Sequence, residues 1–342
     1  MSDYQPSGPT LDAVIPAFNA QSSIVDAITR VRTALDVAGF TESRIIVIDD
    51  GSTDRTLDVV RGCKIGGTEV HHQPNLGRLL ARESGATKSI AKFLLFVDSR
   101  VWIHKHSLEF VKPFLSQEST EVWTCDVEVS VRQNPIARFW LTLEKLFWSE
   151  YYKNPRLMAI TRENFDYVPK GTGGLIVPRE LYIAASQELR SSEAIGNAKK
   201  INDDTAILRR ILDDRPIMIA PNYSCTYFAR TSLLAFLRHA NHRGAVLIDG
   251  HWRKGSRLRH PITGVLITAP IGAVSSTVFP QVTFIGLLVT EVLVILLLAS
   301  KKVGWQNAVV VVCLSPLFTI SYFAGMLHGV YLRLKLNLRS LF

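Results

Sequence analysis

Three places in the chain put carboxylates where chemistry is feasible. Asp49 and Asp50 follow the apolar run Ile45–Ile48 and lead into Gly51, Ser52, Thr53 and Asp54. Asp98 follows Phe93–Val97 and precedes Ser99 and Arg100, and Asp203 and Asp204 sit at the head of the stretch Asn202–Leu212. A carboxylate at the end of a strand accepts hydrogen bonds from a base or a ribose. A carboxylate at the start of a helix can equally cap it, because Asp satisfies orphan backbone donors there and its charge suits the helix dipole. For an isolated Asp-Asp-Gly-Ser, capping is the better explanation. Arginines stand close to two of these places, and a guanidinium neutralises phosphate oxygens with fixed two-pronged geometry.

Alternating strands and helices must hold these groups. Ile45–Ile48 has no polar alternation, and β-branched residues pack well in a strand covered on both faces, as in a parallel sheet. Upstream, Ala13–Ile24 reads as a strand, a turn at Pro16–Asn19 and the start of a helix running from Ser22 to Ala38. A helix over Thr56–Arg61, a short strand over Glu69–His72, a helix from about Asn75, a strand over Phe93–Val97 and a helix over Lys105–Leu115 follow. A strand is expected over Val122–Val131, with Asp126 and Glu128 on one face. Ile136–Tyr152 is aromatic at helical spacing, and helices begin near Arg179 and Asp203. This succession predicts an α/β fold with a mostly parallel, doubly wound sheet, whose carboxyl edge gathers loops and helix N-termini and is where ligands bind. His71 and His72 are adjacent on a strand and face opposite ways, so they do not share a metal.

In order and spacing, AVIPAFNAQSSI, IIVIDDGSTD, NLGRLLARESG and KFLLFVDSR resemble the N-terminal half of a family 2 glycosyltransferase with the GT-A (Rossmann-like) fold. The likeness is strongest at its start and looser beyond Gly174. It implies that Pro16, Ala17, Phe18, Asn19, Asp49, Asp50 and Asp98 meet the nucleotide of a nucleotide-sugar donor, and that Arg82 approaches its diphosphate. Family members carry Asp-x-Asp where this chain has Asp98-Ser99-Arg100, and the last Asp binds a divalent cation, Mg or Mn, that bridges the diphosphate. Arg100 cannot ligate a cation. Two arrangements are therefore open: Arg100 neutralises the phosphates itself, or Asp98 holds the metal with water and phosphate ligands.

The resemblance also places Gly173 and Gly174 at the acceptor side together with Asp203, and makes Asp204 the general base. Inverting transfer needs one carboxylate to take the acceptor proton, since the diphosphate departs without protonation once its charge is neutralised. Further on, HANHRG is a loose counterpart of the family's Gln-x-x-Arg-Trp, with Arg243 the best candidate for the diphosphate; a basic helix beside lipid headgroups competes with that reading.

The 342 residues carry a net charge of +9 and a positive mean hydropathy. The charge suits an anionic partner. No basic run is interleaved with aromatics and no nucleic-acid module is visible, so a sugar nucleotide and a membrane are the expected partners rather than nucleic acid. Cys63, Cys125, Cys225 and Cys313 lack metal spacing and read as reduced thiols. The expected organisation is a disordered leader (1–10), a GT-A domain (11–250), a basic interfacial segment (251–277) and an anchor (278–342) with spans at about 278–299 and 305–327. Pro270 interrupts the less apolar stretch Ile262–Thr277, which is expected to be an interfacial or re-entrant segment. Arg253, Lys254, Arg257, Arg259, Arg333, Lys335 and Arg339 flank the pair and point to a cytoplasmic catalytic domain on the inner membrane. The polar N-terminus carries no signal peptide pattern. The anchor points to a lipid-linked acceptor such as a polyprenyl phosphate or polyprenyl-linked glycan in envelope synthesis. A processive polysaccharide synthase and a catalytically silent membrane scaffold are the alternatives.

Overall fold

The computed structural model describes residues 9–132, 134–191, 203–229, 231–252, 256–278 and 280–339. Most of the expected leader, residues 1–8, lies outside the described residues, as do Asn202, Arg253 and Lys254. The chain divides into two compact units, Met1–Ser130 with Glu150–Phe228 and Val131–Ser149 with Ala229–Phe342.

In chain order the elements are β1 (Leu11–Ala17), α1 (Ile24–Val37), β2 (Ile45–Asp50), α2 (Thr56–Arg61), β3 (Thr68–Gln73), α3 (Arg78–Lys88), β4 (Phe93–Val97), β5 (Val101–Ile103) and α4 (Ser107–Val111). Then come β6 (Trp123–Thr124), β7 (Asp126–Val129), α5 (Pro135–Phe147), α6 (Ser149–Lys153), β8 (Met158–Ile160), β9 (Gly174–Pro178), α7 (Arg179–Ser191), α8 (Asp203–Asp214), β10 (Ile217–Ile219) and β11 (Ser224–Tyr227). The chain closes with α9 (Leu233–His251), α10 (Arg259–Val278), α11 (Pro280–Ser300) and α12 (Trp305–Arg339).

Among the described residues the first unit holds an eight-stranded sheet in the order β3-β2-β1-β4-β9-β6-β10-β8. β3, β2, β1 and β4 run parallel, as the apolar runs predict. β9 then enters antiparallel between β4 and β6, and β8 pairs antiparallel with β10, so the sheet as a whole is mixed. Both faces are covered: Ile24, Ile28, Val31 and Leu35 of α1 pack against one, and Ala81, Tyr182, Ile207 and Ile211 from α3, α7 and α8 against the other. Ile45, Ile46, Val47 and Ile48 are accordingly fully buried, each contributing roughly 1.5–3 kcal/mol of transfer free energy.

Two glycines fix the edge where the strands end. Gly51 has φ +72°, and a Cβ on it would lie 2.6 Å from the Asn75 nitrogen, so the turn after β2 can press against the entry to α3 only without a side chain. Gly85 lets α3 settle on β1, since a Cβ there would meet Val14 Cγ1 at 2.3 Å.

The expected strand over Val122–Val131 is two strands in two sheets. Cys125 is the crossing point: its N–H donates to Gly174 O in the large sheet at 3.0 Å, while the next N–H, of Asp126, donates to Tyr223 O at 2.8 Å. β7 then joins β11 and β5 in a small sheet. The expected helix over Lys105–Leu115 is the short α4 followed by a 3-10 turn, Lys112–Ser116, with Pro113 near its start, where its missing N–H costs nothing.

In the second unit, Phe139 and Trp140 of α5 meet Phe236 of α9 and Phe318 of α12 as edge-to-face and tilted pairs 5.1–5.9 Å apart. Ser321 Oγ donates to Leu237 O at 2.7 Å and Asn241 Nδ2 to Ser321 O at 3.2 Å, joining α9 to α12. The stretch expected to be broken at Pro270 is the continuous helix α10. Among the described residues one helical stretch, Trp305–Lys335, is long and apolar enough to cross a membrane, and α11 contributes the shorter apolar stretch Leu288–Ser300.

Candidate active site

Four segments bring charged side chains together at the carboxyl end of the parallel strands. β4 ends by delivering Asp98, and α3 presents Arg78 and Arg82, four residues apart and therefore on one helix face. The first turn of α8 carries Asp204, and the loop before β9 carries Thr172. Arg82 is the hub. Its Nη2 donates to Asp98 Oδ1 at 2.7 Å and its Nη1 to Asp204 Oδ1 at 3.1 Å, with the side chain only 2% exposed. Thr172 Oγ1 donates to the same Asp204 oxygen. Arg78 Nη1 stands 3.5 Å from Asp204 Oδ2. Gly173 lies directly beside Asp98, since a Cβ on it would be 3.1 Å from Asp98 Oδ2, and Gly174 begins β9.

Electrostatics in this cluster are one-sided. Burial raises the Asp204 pKa, but the charges of Arg78 and Arg82 and the hydroxyl of Thr172 outweigh it and hold the carboxyl well below the usual range. The side chain keeps about a third of its surface exposed, at 32%. Asp204 is therefore an ionised carboxylate, with Oδ1 held by Arg82 and Thr172 and Oδ2 faced by Arg78. Asp203 opens the same helix.

The other half of the site is a pair of interlocked turns. Pro16 and Ala17 end β1, Phe18 is half exposed, and Asn19 adopts φ 50°. Asn19 Oδ1 accepts from Thr53 N at 2.8 Å while its own N–H donates to Ser52 Oγ at 3.0 Å, stitching the turn after β1 to the turn after β2. Asp50 holds the third strand and the entry to α3: Oδ1 accepts from Gln73 Nε2 and from Leu76 N, both at 2.8 Å, and Oδ2 accepts from Gly77 N at 2.9 Å. Asp49, one residue earlier, points to the opposite face, where its buried carboxylate meets His72 Nδ1 at 2.7 Å. Arg100 lies in the turn between β4 and β5, partly buried, and its carbonyl accepts from Phe228 N at 3.0 Å.

Asp98, Arg82 and Asp204 thus come together, and the turn residues Pro16–Asn19 are joined to the Asp50 turn. Asp49 lies on the other face of the sheet, paired with His72. Arg243 belongs to the second unit, on α9, with its guanidinium 5.4 Å from the Trp140 ring centre and Nε 3.3 Å from His239 Nε2. Sequence reasoning did not find Thr172. A neutral hydroxyl between glycines carries no pattern, and only its burial beside a carboxylate marks it. Arg78 stands one turn before Arg82 on the same face of α3, where a solvated helix face was as good a reading of the sequence.

A divalent cation was tested against these residues. Asp98 spends one oxygen on Arg82, Arg100 follows where a second carboxylate would stand, and among the described residues no three His, Cys, Asp or Glu side chains converge. Hard cations need six or more oxygens. The side chains present do not by themselves form such a cage.

Comparison with known proteins agrees with this architecture. Residues 12–174 match the family model described as "Glycosyl transferase family 2". A 129-residue stretch is 26% identical to the uncharacterized glycosyltransferase YibD of Escherichia coli (strain K12), covering 36% of this chain and 35% of that protein. A 110-residue stretch is 27% identical to the uncharacterized glycosyltransferase RC0461 of Rickettsia conorii, covering 32% of this chain and 18% of that one. The chain thus spans well under half the length of either relative. Among solved structures, the mannosyltransferase PcManGT from Pyrobaculum calidifontis, in complex with GDP-Man and Mn2+, is similar in fold with a TM-score of 0.59 at 12% identity, covering 95% of this chain and 88% of that one. The chain therefore carries, over residues 12–174, a glycosyl transferase family 2 domain.

Proposed function

We propose that the protein is an inverting glycosyltransferase that moves a sugar from a nucleotide-activated donor to a lipid-linked acceptor. The observation that carries this reading is the convergence of Asp98, Arg82 and Asp204 at the carboxyl edge of a doubly wound sheet, where α/β proteins bind nucleotides. In it, the turns at Pro16–Asn19 and Asp50, with Asp98, receive the nucleoside. Arg100 stands where the cation-binding carboxylate would be and neutralises the diphosphate with a permanent charge. Asp204 takes the proton of the acceptor hydroxyl as that oxygen attacks the anomeric carbon; the bond to the diphosphate breaks with its electron pair leaving on the phosphate oxygen. Gly173 lies against Asp98 on the acceptor side, while Gly174 packs on Cys125 at the start of β9.

The second unit supports a membrane-bound acceptor. The apolar stretch Trp305–Lys335 is long enough to cross a bilayer. Glu291, the charge within α11, is met by Ser315 Oγ of α12 at 2.9 Å, which supports α11 and α12 acting together as a two-helix anchor on the inner membrane with the family 2 domain in the cytoplasm. A polyprenyl phosphate or polyprenyl-linked glycan of envelope synthesis is the acceptor class such an anchor favours.

The test is nucleotide release from UDP-, GDP- and dTDP-sugars by detergent-purified full-length protein with membrane lipid extract, beside Asp204→Asn. Turnover of one donor that vanishes in the variant supports the enzyme and its base. A second reading, a silent scaffold that retains nucleotide binding, is favoured by the double arginine engagement of Asp204. Binding without turnover by any donor would select it.

A further inference from the structure

Arg78 and Arg82 face the same carboxylate from one helix, yet they are not equivalent. Arg82 is 2% exposed and spans two acids, so withdrawing it would strand a buried charge. Arg78 is 49% exposed, and its contact with Asp204 Oδ2, at 3.5 Å, lies at the limit of hydrogen-bond length. A partly exposed pair of this kind contributes little and is easily exchanged. Asp204 Oδ1 is meanwhile taken by both Arg82 and Thr172. Oδ2 is left to Arg78, which stands against it.

We infer that Arg78 is a hand-over residue: without donor it pairs with Asp204 Oδ2, and with a nucleotide diphosphate bound it turns to the phosphate oxygens and releases Oδ2 to receive the acceptor proton. The inference rests on the glycosyl-transfer reading above. A diphosphate carries more than one negative charge and accepts both prongs of a guanidinium, so it outcompetes a single carboxylate oxygen. Arg78 keeps its charge and its proton throughout. The proton lost by the acceptor goes to Asp204, and the electron pair of the broken bond goes to the diphosphate. Donor binding and base release become one event, which leaves the base covered when an acceptor alone is present.

The test is calorimetric titration of UDP, GDP and dTDP into the full-length protein in detergent, for the wild type, Asp204→Asn, Arg78→Gln and the double variant, with uridine, guanosine and thymidine as controls. If Arg78 is shared between the two anions, Asp204→Asn tightens diphosphate binding by about fivefold when Arg78 is present and leaves it nearly unchanged in the Arg78→Gln background. Nucleoside binding does not change. An equal tightening in both backgrounds overturns the inference, because Asp204 would then act by its charge alone, while loss of turnover in Asp204→Asn would leave the transferase reading standing. Absence of diphosphate binding by the wild type overturns both.

Discussion

Arg82 Nη1 and Asp204 Oδ1 lie 3.1 Å apart, with Arg82 buried and Asp204 partly open. The contact, with that of Thr172, engages one oxygen of the carboxylate, and Arg78 Nη1 stands 3.5 Å from the other. Arg82 also reaches Asp98 Oδ1 with its other nitrogen, Nη2, at 2.7 Å.

Replacing Asp204 by Asn keeps the shape and removes the basicity. Turnover should fall by about 10²–10⁴-fold, while diphosphate binding is retained and tightens by about fivefold, and the thermal midpoint falls because buried Arg82 loses one of its two charge partners. Donor hydrolysis or transfer followed by nucleotide release, with the midpoint from circular dichroism, checks both halves.

Arg82→Lys should be more damaging to the fold than the same change at Arg78. A single ammonium cannot bridge Asp98 and Asp204 in the way a planar guanidinium does. Because the arginine is buried but both acids are about a third exposed, a loss of roughly 2–4 kcal/mol lies between the buried and surface limits. Urea unfolding of both lysine variants reads it directly, and equal midpoints would refute the asymmetry.

Acid should act on this cluster late. The Asp204 pKa is depressed in the folded protein, so its contribution to stability is present above the unfolded value near 3.8 and is lost as pH falls below it toward the folded value. In kcat/KM, which reports the free enzyme, the acidic limb due to Asp204 should therefore lie below the ordinary carboxylate range. In kcat, where a bound diphosphate holds Arg78, the limb should move upward. Steady-state profiles from pH 4 to 8 for the wild type and Arg78→Gln separate the two parameters.

Chelation distinguishes the two arrangements open at Asp98-Ser99-Arg100. If the Arg100 guanidinium neutralises the diphosphate, turnover persists in excess chelator and Arg100→Ala weakens donor binding by tenfold or more, about 1.4 kcal/mol. Strict dependence on Mg or Mn, with Arg100→Ala behaving as the wild type, would assign the phosphate charge to a metal held through Asp98 instead.

The parallel half of the fold was legible because burial on both faces leaves an unmistakable trace. Ile45–Ile48 and Phe93–Val97 have no polar position, and α2 appears at the residues its pattern gives. The antiparallel entry of β9 had no such trace, since Gly174–Pro178 is as apolar as a parallel strand. The division between β6 and β7 was hidden because alternation runs unbroken through Trp123, Cys125 and Val127, and only the partners of successive N–H groups reveal the change of sheet. At the site, Asp98, Arg82 and Asp204 were each found separately. Their mutual contacts were not, because no local pattern encodes a pairing between distant helices. Asp50 was expected to face the nucleotide, and its hydrogen bonds to Gln73, Leu76 and Gly77 give it a further task in shaping the entry to α3.

The bond between Arg82 and Asp204 spans 122 residues of sequence. Closing so long a loop costs entropy that nearby contacts do not repay until most of the chain is in place, so pairings of this kind form late in folding. A nascent chain that has emerged only as far as β9 already contains the matched family 2 domain, residues 12–174, yet presents Arg82 with one acid instead of two. Ribosome-bound intermediates of that length should therefore be susceptible to proteolysis around α3, and resistance should arrive only when α8 has been synthesised and docked.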